Sequence, residues 1–294
     1  MRTCVGLARG VLTDQRLKDI SRGIAQQFAQ DPAAIHMQAS SQDSHVLFTV
    51  TPNADRSFYT LNVTTPYLRG LVLQEIAKRD VTEQVSFYHR ASSLSQFRGT
   101  LGYLLEKYFI AWLYSGERAK ALLCASKPAM SAKSKGLESA MTISLQPPPR
   151  NKLTVSDGVT GFAKVKESDT PFAWVPASRS FPTFDAVICS DEHIFTIQVT
   201  TSHTHSMKLD GFTQLKQNLP DTFQEKRVFC HVLVTDCPKK ADALRKQHRK
   251  LAAENNILIY SAVLEVSTGN FSSEGLKHIS VCRCNHCILT EEVT

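Results

Sequence analysis

FPTFDAVICSDEHIFTIQVTTSHTHS, residues 181–206, decides how this chain is read. Two runs of strand-forming residues, FDAVIC and HIFTIQVT, flank the polar link SDE. Asp185 and Gln198 sit inside them. Burying an unpaired polar group costs about 2–7 kcal/mol, and an unpaired charge far more. These side chains need partners, or they hold something.

An antiparallel hairpin with its turn centred between Asp191 and Glu192 sets Asp185 opposite Gln198. Side chains alternate between the faces of a strand. One face then collects Phe184, Ala186, Ile188, Phe195, Ile197 and Val199, all apolar. The other carries Asp185, Val187, Cys189, Ile194, Thr196, Gln198 and Thr200. A one-residue slip would break this sorting, so the pattern itself argues for the register.

A carboxylate beside an amide oxygen suits a hard divalent cation such as Mg2+, which takes oxygen ligands and keeps several waters. The plainer alternative is that the two groups hydrogen-bond each other or nearby backbone. Glu106 is a third oxygen donor. It lies in FRGTLGYLLEKYF, the strongest helical stretch of the chain. Phe97, Leu101, Leu104, Leu105, Tyr108, Phe109, Trp112 and Leu113 form an apolar stripe over 95–114, and Glu106 borders it above Gly102. A border Glu can reach a sheet that its helix packs on, or simply face water.

Around this centre the chain has ordinary globular composition, 42% hydrophobic and 21% charged over 294 residues. Its 34 Lys and Arg exceed 27 Asp and Glu, a formal charge of +7 that is compatible with a polyanionic partner. No run approaches the roughly 18 apolar residues of a membrane span. Arg9 interrupts the first apolar stretch, which makes a poor secretory signal. Cys189 and Cys230 fall in apolar strands, where a reduced thiol behaves as a small hydrophobe, so a reducing compartment is expected.

HVLFTV (45–50) and SFYTLNV (57–63) read as a hairpin, followed by a helix after Pro66. AMTISLQ reads as a strand closed by Pro147–Pro149. After the central hairpin come a helix near 209–225, a strand at 227–236, a helix at 239–254 and a strand at 257–267. Alternating strands and helices predict a mixed α/β or α+β domain over 95–267, preceded by a hairpin-and-helix segment at 1–94 and followed by a tail at 268–294.

The order FRGTLGYLLEKYF, FPTFDAVI, FTIQVTTSHTH, Lys208 with Gly211-Phe212, then FCHVLVTD resembles the restriction-endonuclease-like domain of Crinkler and retrotransposon-hot-spot proteins. That domain belongs to the PD-(D/E)xK nuclease superfamily. HVLFTVTPNADRSFYTLNVTTPYLRGLVLQEI resembles the segment these proteins carry before the nuclease helix. The resemblance spans roughly 45–267 and rests on order and spacing. It implies a core of α-β-β-β-α-β order, a mixed sheet flanked by helices, and Mg2+-dependent cutting of phosphodiester bonds in DNA.

By position, the resemblance makes Glu106 the helix carboxylate near the metal and Asp185 its main ligand. Gln198 stands where the superfamily often has Glu, and Thr200 where it usually has a catalytic Lys. A Lys ammonium stabilises developing phosphorane charge; a hydroxyl brings no such charge. Lys208 is the next cation along the chain, and His203 or His205 follows the strand as a proton carrier. The departure leaves two expectations open: a nuclease, or a nuclease-fold module that no longer cuts and binds nucleic acid or a protein partner as an effector. By analogy with the family, the nucleus is the expected location.

KKADALRKQHRK carries Lys239, Lys240, Arg245, Lys246, Arg249 and Lys250, a cationic run that would meet a phosphate backbone or stay as a solvated face. In the tail, His278, Cys282, Cys284, His286 and Cys287 include only half of a paired zinc arrangement, so zinc is not expected there. No GxxxxGK[ST] loop or GxSxG elbow is present, so no nucleotide cofactor is expected.

Overall fold

The computed structural model describes residues 74–76, 78–94, 97–116, 119–126, 141–156, 162–163, 165–166, 169–176 and 184–267, the backbone of 48–52 and 59–63, and Asp19, Arg22, Gly23 and Gln26. The tail cysteines and histidines, and most of the segment before residue 74, lie outside the described residues.

The central hairpin forms in the register that its alternation predicts. β7 (Ala186–Cys189) and β8 (His193–Val199) pair antiparallel with Ala186 opposite Ile197 and Cys189 opposite Ile194. Asp191 and Glu192 form the turn, closed by the Ser190 N–H donating to the His193 carbonyl at 2.9 Å. Just before β7 the Asp185 N–H also donates to the Ile197 carbonyl, at 2.7 Å, so Asp185 and Ala186 share Ile197 as their opposite residue, a bulge-like step that departs from the expected facing of Asp185 and Gln198.

An eight-stranded mixed sheet grows from this hairpin in the order β4-β3-β10-β9-β8-β7-β6-β5. Its other members are β3 (Leu122–Ser126), β4 (Met141–Leu145), β5 (Leu153–Ser156), β6 (Phe172–Pro176), β9 (Val228–Thr235) and β10 (Leu258–Val263). β8, β9 and β10 run parallel, so their carboxyl ends share one rim. Asp185, at the start of antiparallel β7, lies at that rim too. A separate ribbon pairs β1 (Phe48–Pro52) with β2 (Tyr59–Val63), as the sequence predicts.

Helices cover both faces. On one, α1 (Val81–Ser92) and α2 (Arg98–Ser115) share a core with Ala186, Ile188, Phe195, Ile197 and Val199. Phe87, Tyr88 and Ala91 of α1 belong to that core, so this helix packs with residues 95–267 rather than apart from them. On the other face, α3 (Asp210–Asn218) and α4 (Asp221–Lys226) cover Val187, Cys189 and Ile194. α5 (Pro238–Glu254) packs with Leu233 and Ile259. Pro220 divides the helix predicted at 209–225 into α3 and α4, because it supplies no backbone N–H.

Two expectations change. Phe184 does not join Ala186; it packs with Trp174 and Phe212 at ring-centroid distances of 6.3 and 5.9 Å, on the α3 side. It precedes β7, and strict alternation ends where the strand does. α2 is also more than a one-sided stripe: Tyr103, Lys107, Ile110 and Ala111 are buried as well as the stripe itself. A helix buried nearly all round is a central element of its layer. Among the described residues, no helix is long and apolar enough to cross a membrane. Cys124, Cys189 and Cys230 are buried free thiols, and burial pushes each up to about 12.

Candidate active site

Asp185 is half-buried at the rim. Its Oδ2 accepts the Val199 N–H at 2.7 Å, so the carboxylate continues the β7–β8 ladder one step past the last paired carbonyl. This is the backbone pairing that the plainer reading anticipates, and it fixes where the carboxylate stands.

Gln198 is 9% exposed, and its Nε2 meets His205 Nε2 at 2.5 Å. Its Oε1 is buried and meets no hydrogen-bond donor among the described residues. Strand alternation puts Gln198 on the α3–α5 face, opposite Ile197 and Val199. Of the two loop histidines, only His205 is drawn in; His203 is exposed. Burial holds the His205 imidazole below its usual range, with His248 and Lys208 acting in the same direction. Lys208 itself is exposed.

Thr200, at the position expected to hold a Lys, is buried, and its Oγ1 accepts the Ser202 N–H at 3.0 Å. The hydroxyl closes the turn that leads into the TSHTHS loop (201–206). Glu106 is half-buried on α2, one turn beyond Gly102. A Cβ at Gly102 would lie 3.2 Å from Thr201 Oγ1, so α2 meets the rim closely there. The helix that carries Glu106 and the Gln198 side chain therefore lie on opposite faces of the sheet.

The rim thus holds Asp185 on the Val199 N–H and Gln198 against the loop residue His205, with α2 on the far side. An unsatisfied amide oxygen and a carboxylate at one rim are the kind of oxygen donors that a hard cation seeks. Among the described residues, no group of three or more His, Cys, Asp or Glu side chains forms a metal-ligating cluster. A cation here would depend on the amide and on water for part of its shell.

The cationic run on α5 divides in two. Lys239, Lys246, Arg249 and Lys250 are exposed, the three lysines on one side of the helix. Lys240 pairs with Asp236 at 2.8 Å, and Asp236 also accepts from the Tyr88 hydroxyl at 3.3 Å. Arg245 turns inward, 7% exposed, donating to the Ala125 carbonyl at 2.9 Å and Ser261 Oγ at 3.1 Å. It ties α5 to β3 and β10 and leaves the phosphate-facing stripe. A cleft of about 310 Å3 opens beside Arg245, Asp242 and Leu123, away from the Asp185–Gln198 pair.

Sequence reasoning missed three neighbours of the site. His231 on β9 is fully buried, with Thr196 Oγ1 on its Nδ1 at 2.9 Å and Phe212 edge-on at 5.2 Å. Burial pushes its imidazole down to about 3. His248 on α5 stacks against it at 6.3 Å and binds the His205 carbonyl. Gln247 accepts the His205 N–H at 3.4 Å. A polar residue inside the apolar run VFCHVLVT was the one available signal for His231. No family model, no curated protein and no solved structure matches this chain.

Proposed function

We propose that this protein is a Mg2+-dependent nuclease of the Crinkler-RHS type, hydrolysing phosphodiester bonds in DNA in the nucleus. The observation that carries the reading is the buried Gln198 amide oxygen with no donor among the described residues, at the rim where the Asp185 carboxylate also stands. The element order supports a restriction-endonuclease-like core: α2, the antiparallel run β6-β7-β8, α3, and β9 parallel to β8. The rim is also where ligands bind open α/β sheets, outside the carboxyl ends of parallel strands.

In this reading Asp185 and Gln198 would hold the cation, with Glu106 contributing from the α2 side. Bound there, Mg2+ would polarise a phosphoryl oxygen and lower the pKa of a bound water. The chain's own residues do the rest. His205, whose imidazole burial holds below its usual range, would release the Gln198 amide N–H from its Nε2 to take the proton of the attacking water there. Lys208 supplies positive charge on the same loop, in place of the cation that Thr200 lacks. Lys239, Lys246, Arg249 and Lys250 meet the phosphate backbone and set the duplex on the protein. The test is nicking of supercoiled plasmid in Mg2+ and in EDTA. Metal-dependent nicking by the wild type, absent in Asp185→Asn, is expected; no nicking in any divalent cation would overturn the reading.

A second reading, a nuclease-fold module that binds nucleic acid or a protein partner without cutting, draws on two bonds. Asp185 Oδ2 serves the Val199 N–H and Thr200 Oγ1 serves the Ser202 N–H, tasks that need no cation. Salt-sensitive DNA binding without nicking favours this module.

A further inference from the structure

His205 is held at both backbone groups by consecutive residues of α5. Its N–H donates to Gln247 Oε1 at 3.4 Å, and its carbonyl accepts from His248 Nε2. Its ring meets Gln198 at the end of β8. The loop from Thr201 to Lys208 is thus fastened to a helix at the residue that carries the imidazole.

His248 is built for this task. It is 2% exposed, and its ring lies nearly parallel to His231, 17° between planes. His231 is in turn set by Thr196 on β8. A carbonyl can only accept, so Nε2 is the nitrogen that donates to His205, and His248 Nδ1 meets no hydrogen-bond partner among the described residues. The stack fixes the ring plane, and the ring plane aims the Nε2–H. Removing that donor would leave the His205 carbonyl unserved and free the loop to turn.

We infer that His248, with Gln247, is a positioning residue: it delivers the His205 imidazole to the Asp185–Gln198 rim through the His205 backbone. The inference rests on the proposed site, since it gives His205 its work. It also explains why the helix with the exposed lysines carries a buried histidine. Lys246, Arg249 and Lys250 flank Gln247 and His248, so the surface offered to a polyanion and the grip on His205 belong to one rigid element.

The test compares amide hydrogen exchange of residues 201–208, plasmid nicking and DNA affinity in the wild type, His248→Phe, His248→Gln and Gln247→Ala. Phe fills the ring volume without a donor. Gln places an amide N–H near the position of the imidazole Nε2. Gln247 is exposed, so Gln247→Ala tests the other half of the grip without disturbing the core. Exchange about five- to tenfold faster in His248→Phe, the loss of roughly one net hydrogen bond, is expected. Nicking should fall with DNA affinity unchanged, and His248→Gln should restore both exchange and nicking. Unchanged loop exchange in both His248→Phe and Gln247→Ala overturns the inference, whatever the activity. If the wild type itself does not nick, the nuclease reading fails, and the exchange result alone still decides whether α5 positions His205.

Discussion

Asp185 Oδ2 accepts the Val199 N–H at 2.7 Å, so one carboxylate both ends a strand ladder and marks the candidate cation site. The two roles separate by substitution. Asp185→Asn keeps an oxygen for the Val199 N–H and should fold with little loss. Asp185→Ala leaves that N–H without its acceptor and should cost about 1–3 kcal/mol. Urea denaturation of both variants measures the difference.

A methyl group at Gly102 would sit 3.2 Å from Thr201 Oγ1, a tight but not closed space. Gly102→Ala gains helix propensity of about 1 kcal/mol, which offsets the few tenths of an ångström that Thr201 must yield. It should be nearly neutral. Gly102→Leu must push α2 off the rim and should lose roughly 1–3 kcal/mol by overpacking, read as a lower thermal midpoint.

The buried neutral His231 makes stability depend on pH in a defined window. Its folded-state pKa, about 3, lies below that of an unfolded histidine, so the unfolded chain binds the proton first. Stability is therefore full above the unfolded value and falls as pH drops from about 6.5 to about 3, by up to roughly 1.4 kcal/mol per pH unit. Urea midpoints at pH 7 and pH 5 should differ more in the wild type than in His231→Phe.

Arg245 and Lys246 are neighbours with opposite tasks. Arg245→Ala removes bonds to Ala125 and Ser261 and should cost about 2–4 kcal/mol, leaving unpaired groups in the core. Lys246→Ala and Lys250→Ala should leave stability unchanged and each reduce the log–log salt slope of DNA binding by about 0.9. Fluorescence anisotropy across a salt series reads that slope.

The hairpin register was legible because both strands alternate and the turn residues leave one alignment that sorts polar from apolar. The carboxyl-end rim followed from it. β6, FAWVP, was missed because it is buried on both faces and shows no alternation. α1, VTEQVSFYHRAS, was missed because its mean composition is polar and only Gln84, Phe87, Tyr88 and Ala91 are buried. The stripe on α2 was read correctly but understated, since its flanks face α1 and the sheet. Arg245 looked like its cationic neighbours because helical spacing alone does not say which charge turns inward. The grip of Gln247 and His248 on His205 had no local signal: it joins residues about forty positions apart, through backbone groups that every residue has.

The most direct test of the account is binding of Mn2+, displaceable by Mg2+, followed by electron paramagnetic resonance of the free ion. The account predicts a single site per chain in the wild type that is lost in folded Asp185→Asn. Equal binding by both proteins, or none by the wild type, would contradict it.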